Sequence, residues 1–381
     1  MRALLALVAL LLCAAPASAG VWLSGDLHVH STYSHDSWSG PDDDEESDFY
    51  TYGNSVSDIF TIASLRGMDF VAVTDHNRVD SQTDPGWNTN GVLGLPAYEN
   101  SLHGHGQMLG ARKVYDKGDS SPAAIRAMEE ALHADGGLLQ ANHPTDPVWD
   151  YPYEDVPVDT VEVWNEPWFY QPPFPASSDH DGQLAFGTAL LDRGAHVAFT
   201  GGSDSHWKST TAAQGPGQPT TWVYADDRSP EGILAGLRRG RTFVSFQPPA
   251  MGGPQAFIEG KVDGLWSALP GDQVAPGTPL RVRVLGAPGA TLRVLADRGK
   301  AIDEVRVDSA DFTAETTAPA GATYAYAQVF ADDAIDQRPA VCAAVPVLEI
   351  DGQTTYCGNR IGMLALTSAI YFADAKLPRL P

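Results

Sequence analysis

The histidines of this 381-residue chain are concentrated in its first 206 residues. All eleven lie between positions 28 and 206. His28 and His30 are separated by one residue, so on a strand their rings share one face. Neutral imidazoles together with carboxylates suit zinc, manganese or iron, and the absence of cysteine from this region argues against a closed structural zinc site. The residue types therefore predict a catalytic centre for divalent metal ions.

The histidines also follow stretches that read as strands. His28 and His30 end one apolar run, while His76, His143 and His206 come just after three others. These four runs are Trp22–Val29, Phe70–Thr74, Leu138–Ala141 and Val197–Gly201. In a β/α barrel the side chains that follow the strands at their carboxyl ends build the site. We therefore expect these histidines, with acids beside them, to meet at one end of a barrel.

The elements needed for such a barrel are present between residues 20 and 250. Two further strands are predicted at Thr160–Trp164 and Thr220–Tyr224. Helices are predicted from Ser55, Ser121 and Ser229, because serine caps helix starts, proline suits the first turn and glycine follows the last. Strands that alternate with helices indicate an α/β domain with a parallel sheet.

Residues 251–381 predict a different unit. Short β-branched or aromatic runs, separated by Gly, Pro and Asp, show no helical period. Such a pattern is typical of a small β-sandwich. The predicted strands are Leu280–Leu285, Thr291–Leu295, Thr323–Phe330 and Ala343–Ile350.

Four motifs near the strand ends resemble the signatures of the polymerase and histidinol phosphatase (PHP) superfamily. They are Gly-Asp-Leu-His-Val-His (25–30), Val-Thr-Asp-His-Asn (73–77), Asn-His-Pro (142–144) and Gly-Ser-Asp-Ser-His (202–206). Other stretches are similar to the carbaryl-hydrolase-like (CehA/McbA) branch. These are Glu99 with Gly104-His105 and Leu109-Gly110, Val161 to Asn165, Gly240 to Val244, and Ala365 to Tyr371. The resemblance implies a distorted (β/α)7 barrel that holds two or three divalent metal ions (Zn, Mn or Fe).

The resemblance further implies how nine side chains share these ions. The first ion would be held by His28, His30, Glu99 and Asp204. The second would be held by Glu99, His105 and His143, with Glu99 bridging. The third would be held by Asp36, His76 and His206.

The acid of the first motif departs from the pattern of the branch. Branch members usually place it five residues after the second histidine, but position 35 is histidine here and Asp36 comes one later. We expect Asp36 rather than His35 to be the ligand, with His35 beside it. Asp26 and Asp75 are expected to orient neighbouring imidazoles, as carboxylates around metal sites often do.

Residues outside the ligand set are candidates for contact with the substrate. Arg112 and Lys208 closely follow metal motifs and could pair with phosphate oxygens; Arg78 and Arg241 lie nearby, and for each a structural salt bridge is the alternative. His103 could reach the substrate as an acid or could be a surface residue. An aromatic set could wall an apolar pocket or belong to the core. It consists of Trp149, Trp164, Trp168, Phe169 and Tyr170.

The N-terminus and the charge bear on location and partners. Residues 1–19 read as a signal peptide with cleavage near Ala19 and Gly20, which predicts a periplasmic or secreted protein. Cys342 and Cys357 would then remain, as one disulfide or as two buried thiols. A net charge of −24 argues against nucleic acid and, after signal cleavage, membrane as partners, whereas a small-molecule ester remains compatible through the metal ions.

These observations predict an exported metal-dependent phosphoesterase. The sequence shows no serine nucleophile elbow, P-loop or reactive cysteine, which leaves metal-activated water as the nucleophile. A carbamate or carboxylic ester hydrolase with the same site is the closest alternative. A noncatalytic exported binding protein is another alternative, in which the C-terminal unit would dock a partner.

Overall fold

The computed structural model describes most of the chain between residues 20 and 373. The described ranges are 20–37, 53–101, 104–115, 120–146, 151–152, 156–166, 180–206, 215–331, 348–350, 353–355 and 362–373. The signal peptide predicted for residues 1–19, and both Cys342 and Cys357, lie outside these ranges. No helix of the described ranges is long and apolar enough to cross a membrane.

Strands predominate over helices. The strands are β1 (Val21–Val29), β2 (Phe70–Val73), β3 (Leu93–Pro96), β4 (Glu99–Asn100), β5 (Gly106–Leu109), β6 (Leu138–Ala141), β7 (Thr160–Asn165), β8 (Ala198–Gly202), β9 (Thr220–Ala225), β10 (Thr242–Ser245), β11 (Gln255–Val262), β12 (Leu265–Ala268), β13 (Gln273–Val274), β14 (Pro279–Leu285), β15 (Thr291–Ala296), β16 (Lys300–Arg306), β17 (Asp311–Thr317), β18 (Tyr324–Phe330), β19 (Leu348–Ile350), β20 (Gln353–Thr355), β21 (Met363–Thr367) and β22 (Ile370–Phe372). The helices are α1 (Val56–Leu65), α2 (Pro122–Ala134), α3 (His180–Asp192) and α4 (Pro230–Arg238).

The three helices predicted from serine caps are confirmed. The side chain of Ser55 accepts from the backbone N–H of Asp58, and the carboxylate of Asp58 accepts from the N–H of Ser55. Ser121 and Ser229 cap α2 and α4, and each is followed by proline. The helix α3 was not predicted, although Ser178 and Asp179 just before it in the sequence are residue types that cap helix starts.

Two sheets carry the predicted metal ligands. In the first, β2 is parallel to β1 and to β3, while β9 is antiparallel to β1 and to β10. In the second, β6, β7 and β8 are parallel, and β5 is antiparallel to β4 and β6. The distorted (β/α)7 barrel is therefore not confirmed, since antiparallel strands enter both sheets.

The two sheets meet at the carboxyl ends of their parallel strands. Val29 pairs with Ser205, and His76 pairs with Glu99, each as a single parallel bridge. The backbone N–H of Asp204 donates to the carbonyl of His28 at 2.8 Å, and that of His30 donates to Ser205 at 3.0 Å. The ends of β1, β2 and β8 thereby converge on one place.

Residues after 250 form strands, as predicted, but they do not make an isolated sandwich. One sheet has the order β12-β11-β14-β17. The strands β13, β15, β16, β18, β21 and β22 extend the first sheet, because β21 pairs with both β10 and β18. The strands β19 and β20 pair with each other. A single buried core joins the two sheets, with Ile258 and Val282 on one side and Val294 and Ala327 on the other. The C-terminal unit is thus fastened to the strands next to the predicted site.

Ser368 connects the chain end to the first sheet. Its hydroxyl accepts from the backbone N–H of Phe199 at 2.7 Å and lies 2.6 Å from the hydroxyl of Thr242. Because all three groups are buried, Ser368→Ala should leave the Phe199 N–H unsatisfied and destabilise the protein by about 1–3 kcal/mol. Thermal or denaturant unfolding measures this loss, and Ser309→Ala, on an exposed turn, is the matched control. Equal stability of both variants would contradict the expectation.

Candidate metal centre

The nine ligands predicted from the sequence lie together at the ends of β1, β2, β6 and β8. Within the described residues they form four overlapping groups whose ligand atoms lie within 4.8 Å of one another. The groups are His28/His30/Glu99, His28/His143/Asp204, Glu99/His105/His143 and His30/Asp36/His76/His206. Overlap of this kind is what several neighbouring metal ions with shared ligands require.

Glu99 lies at the centre of the cluster and divides its two oxygens between two sides. Its Oε2 lies 3.3 Å from His28 Nε2, 3.4 Å from His30 Nε2 and 3.2 Å from His76 Nδ1. Its Oε1 lies 3.0 Å from His105 Nδ1 and 3.5 Å from His143 Nε2. Each oxygen thus faces a different group of histidines, as is required of a carboxylate that would bridge two ions.

Two other carboxylates complete the cluster. Asp204 Oδ1 lies 3.1 Å from Nε2 of both His28 and His30. Asp36 Oδ2 lies 3.0 Å from His76 Nε2 and 3.0 Å from His206 Nε2. The structure thus brings Asp36 into the cluster, whereas His35 is exposed, with its ring centroid 5.0 Å from that of His76.

Two of the ligands are held in left-handed backbone conformations. The φ angle is 23° at His143 and 48° at Asp204. Residues other than glycine rarely adopt positive φ, and such strain is concentrated at functional sites. Here it allows the chain to turn sharply after β6 and β8, so that both side chains point back over the strand ends.

The cluster contains eight buried polar atoms that have no hydrogen-bond partner among the described residues. The unpartnered buried atoms are His28 Nε2, His30 Nε2, Asp36 Oδ1, His76 Nδ1, Glu99 Oε2, His105 Nδ1, His143 Nδ1 and Asp204 Oδ1. An unsatisfied buried polar group is costly, and so many in one place require an explanation such as bound ions. Nitrogen and oxygen donors without thiolate match zinc, manganese or iron. The residues therefore fit a multinuclear divalent-metal site.

The electrostatics of the cluster favour positive charge. Burial disfavours the charged form of His30, but Asp204 and Glu99 outweigh it and raise its pKa to about 10. For His143, burial is likewise outweighed by Glu99 and Asp204, which raise the pKa to about 9. Burial would raise the pKa of Glu99, yet the surrounding histidines hold it well below its ordinary value. Divalent cations would supply the positive charge that these carboxylates attract.

Glu162, on β7, is a functional residue that the sequence analysis did not single out. Its Oε1 lies 3.0 Å from His28 Nδ1, and its Oε2 accepts from the backbone N–H of His143 at 3.1 Å. A carboxylate can only accept, so Nδ1 of His28 carries the proton and Nε2 faces the metal position as a free lone pair. The signal available was an acid in the middle of an apolar strand.

We expected Asp26 and Asp75 to orient neighbouring imidazole rings, but in the structure it is Glu162 that bonds to the ring of His28. Asp26 accepts from the backbone N–H groups of His28 and Ser203, and burial raises its pKa to about 6. Asp75 accepts from the backbone N–H and hydroxyl of Ser31. Both carboxylates accept hydrogen bonds from backbone N–H and hydroxyl groups. Asp26 and Asp75 therefore position the loops rather than the imidazole rings.

Glu162→Gln is expected to weaken metal binding without unfolding the protein. The amide keeps the size of the side chain but no longer favours the proton on His28 Nδ1. Loss of such an orienting partner costs about 10- to 100-fold in metal affinity. Competition against a chromophoric chelator measures the change, with Glu304→Gln, on an exposed strand of the C-terminal unit, as control. Unchanged affinity in the folded variant would show that Glu162 does not orient His28.

Of the two cations predicted to bind phosphate, only Arg112 lies in the described part of the chain, and it is not at the cluster. Arg112 follows β5, which is antiparallel to β6, so it lies at the end of the sheet opposite His143. There it lines a surface cavity with Pro230 and Arg238, and its predicted role is corrected accordingly. Lys208 and His103 lie outside the described residues.

The other two arginines are engaged elsewhere. Arg78 pairs with Asp80 at 3.0 Å and donates to the carbonyl of Tyr33. Arg241 pairs with Asp272 at 3.3 Å, so both form the structural salt bridges that were the alternative reading.

The aromatic pocket is not supported by its described member. Trp164 is fully buried and packs in the core with Val163 and Phe199. The remaining members, Trp149, Trp168, Phe169 and Tyr170, lie outside the described residues. Trp164 is therefore a core residue.

The cluster is accessible from one side. The side chains of Asp36 and Asp204 are 21% and 18% exposed, whereas those of His28 and His30 are fully buried. A substrate would approach over Asp36, Asp204 and His206.

Comparison with known proteins gives partial backbone likenesses only. No protein-family model and no curated protein matches the chain. A two-domain protein from Bacteroides vulgatus that contains a predicted PHP-like metal-dependent phosphoesterase shares 15% identity, with a TM-score of 0.45 over 82% of this chain and 91% of that one. A protein from Bifidobacterium adolescentis, provisionally named a metal-dependent phosphoesterase, shares 14%, with a TM-score of 0.34 over 51% and 90%. An amidohydrolase from Chromobacterium violaceum with bound sulfate and no metal shares 13%, with a TM-score of 0.31 over 48% and 88%.

Proposed function

We propose that the protein is a metal-dependent hydrolase of phosphoric esters, acting on phosphomonoesters or phosphodiesters through metal-activated water. The observation that carries the proposal is the set of four overlapping ligand groups around Glu99, built from histidine and carboxylate alone. The order of the sequence motifs supports membership of the CehA/McbA-like branch of the PHP superfamily.

The charge of the filled site suits an anionic substrate. Three ligand carboxylates, from Asp36, Glu99 and Asp204, lie in the cluster, and Glu162 adds one more beside it. Three divalent ions would exceed these four negative charges by two. A phosphomonoester dianion would neutralise that excess and a phosphodiester would neutralise half of it, which is why a site without a described arginine or lysine can still bind an anion.

The residues of the chain prepare and hold the reacting centre. Divalent ions, when bound, lower the pKa of a water molecule and stabilise the charge that develops on the ester oxygens. Glu99 joins the two sides of the cluster, and Glu162 fixes the tautomer of His28. Asp36 and His206 lie on the accessible side, where they would position the third ion beside the substrate.

A carbamate or carboxylic ester remains a second candidate substrate. The observation in its favour is that Arg78 and Arg241 are paired with Asp80 and Asp272, while Arg112 lies at the opposite end of its sheet. A neutral carbonyl group needs less positive charge than a phosphate does. With two ions rather than three, the charge of the site would be balanced and a neutral substrate would fit better.

A panel of chromogenic substrates tests the proposal. Phosphomonoesters, phosphodiesters, carboxylic esters and carbamates are assayed with metal-free protein reloaded with zinc, manganese or iron. We expect metal-dependent phosphoester turnover that is lost in His143→Ala and kept in His133→Ala, which alters a histidine of α2.

Turnover of carbonyl esters alone would retain the site but overturn the substrate class. Metal binding without turnover of any ester would favour the noncatalytic binding protein.

A further inference from the structure

Glu99 receives a hydrogen bond from a side chain that is not a metal ligand. The Nδ2 group of Asn142 donates to Glu99 Oε1 at 2.8 Å. Oε1 is the oxygen that faces His105 and His143. The backbone N–H of Asn142 also donates to the carbonyl of His105 at 3.2 Å. Asn142 therefore contacts both the bridging carboxylate and the loop that carries one of its partners.

A chain of buried polar groups stands behind Asn142. Nε2 of Gln140 donates to Oδ1 of Asn142 at 3.0 Å. Oε1 of Gln140 accepts from the hydroxyls of Thr160, at 3.1 Å, and Thr200, at 2.8 Å. Gln140 and Asn142 are two residues apart, so they share a face of the strand. All of these side chains are fully buried.

The direction of the chain follows from its end at Glu99. An ionised carboxylate can only accept, so Asn142 must turn its amide nitrogen towards Oε1. Its carbonyl oxygen then faces Gln140, which must offer its own nitrogen, leaving the Gln140 carbonyl for the hydroxyls of Thr160 and Thr200. The orientations of both amides are thereby determined, whereas the single proton of the Thr200 hydroxyl can also be donated to the Val161 carbonyl. The plane of the Glu99 carboxylate is fixed from one side.

We propose that Asn142 is a positioning residue that locks the Glu99 carboxylate, so that occupancy of the His105–His143 metal position depends on it. The proposal rests on the metal centre of the proposed function. Without the Asn142 donor, the carboxylate could rotate about its last bond, and Oε1 would no longer be directed at that position. The His28–His30 position keeps Asp204 and Glu162 and should be less affected.

Metal titration of the full protein tests the proposal independently of turnover. Metal-free wild type and Asn142→Leu are titrated with Zn²⁺ in a calorimeter, and bound metal is counted after gel filtration. The variants His105→Ala and His30→Ala assign the binding steps to the two positions. Asn142→Leu should weaken the step assigned by His105→Ala about 10- to 100-fold and leave the step assigned by His30→Ala unchanged.

Two further variants keep the test decisive. Gln328→Leu replaces an amide in β18, a strand of the C-terminal unit, and should bind metal as wild type does. Thr160→Val removes one hydroxyl donor to Gln140 with little change of shape, so it should weaken the same step as Asn142→Leu by a smaller factor. If Asn142→Leu does not fold, Thr160→Val decides the matter.

The outcomes separate the inference from the function on which it rests. Wild-type affinity in folded Asn142→Leu, or equal weakening of both steps, would overturn the positioning role. Unchanged affinity in Thr160→Val would do the same where Asn142→Leu does not fold. A wild type that binds no metal would instead overturn the proposed function, and the inference would fall with it.

Discussion

Replacing Glu99 by glutamine is expected to empty the centre of the cluster and reduce turnover to background. Glutamine has the same size but no charge, and one of its two polar ends is a donor rather than a metal ligand. Removing one partner from a buried charged pair costs about 3–5 kcal/mol, which corresponds to a ~10²- to 10⁴-fold loss of affinity. Because the oxygens of Glu99 face five imidazoles on two sides, more than one ion should be lost.

Metal analysis and ester turnover of the purified variant measure this effect together. Glu130→Gln makes the same chemical change on the exposed face of α2 and should retain both metal and activity. A Glu99→Gln protein that keeps its full metal content would show that the carboxylate does not bridge the ions.

Replacing Asp36 by asparagine is expected to remove the third ion while sparing the other two. Asp36 lies 3.0 Å from Nε2 of both His76 and His206. Burial would raise the pKa of this carboxyl, but His206 and His76 hold it far below its ordinary value, so it is charged when a metal ion arrives. An amide at this position removes that charge. Loss of one ion together with one carboxylate should reduce the excess positive charge of the site from two to one, and phosphomonoester turnover should fall more than tenfold, by about 1.4 kcal/mol or more of transition-state stabilisation.

His35→Ala separates this role from that of the neighbouring histidine. Since His35 is exposed, its removal should leave the metal content unchanged. We expect Asp36→Asn to hold one metal equivalent fewer than the wild type. If His35→Ala loses one metal equivalent and Asp36→Asn does not, His35 rather than Asp36 is the ligand.

Some of the ligand positions could be predicted from local chemistry, whereas Glu99, His105 and Asp36 were predicted from the family resemblance. His28, His76, His143 and Asp204 each follow or end a strand whose apolar pattern is plain in the sequence, and strands of that kind deliver their next residues to one place. The choice between Asp36 and His35 depended on how the turn after β1 is wound, which spacing alone does not determine.

The errors arose where strand direction or long-range pairing decides the outcome. Arg112 follows His105 closely in sequence, but β5 is antiparallel to β6 and carries it to the other end of the sheet. The pairing of β21 with β10 joins residues more than 100 positions apart, and no local signal records it. Glu162 was given no role of its own, although it lies in the Val161 to Asn165 stretch, because its contact with His28 joins residues more than 100 positions apart.

The metal content of the purified protein tests the central claim most directly. The protein is expressed from residue 20, dialysed against metal-free buffer and analysed for zinc, manganese and iron by mass spectrometry, alongside His143→Ala. We expect two or three equivalents per chain in the wild type, and at least one fewer in the variant. A folded wild type that holds well below one equivalent, and takes up none when metal is added, would contradict the assignment of this cluster as a metal centre.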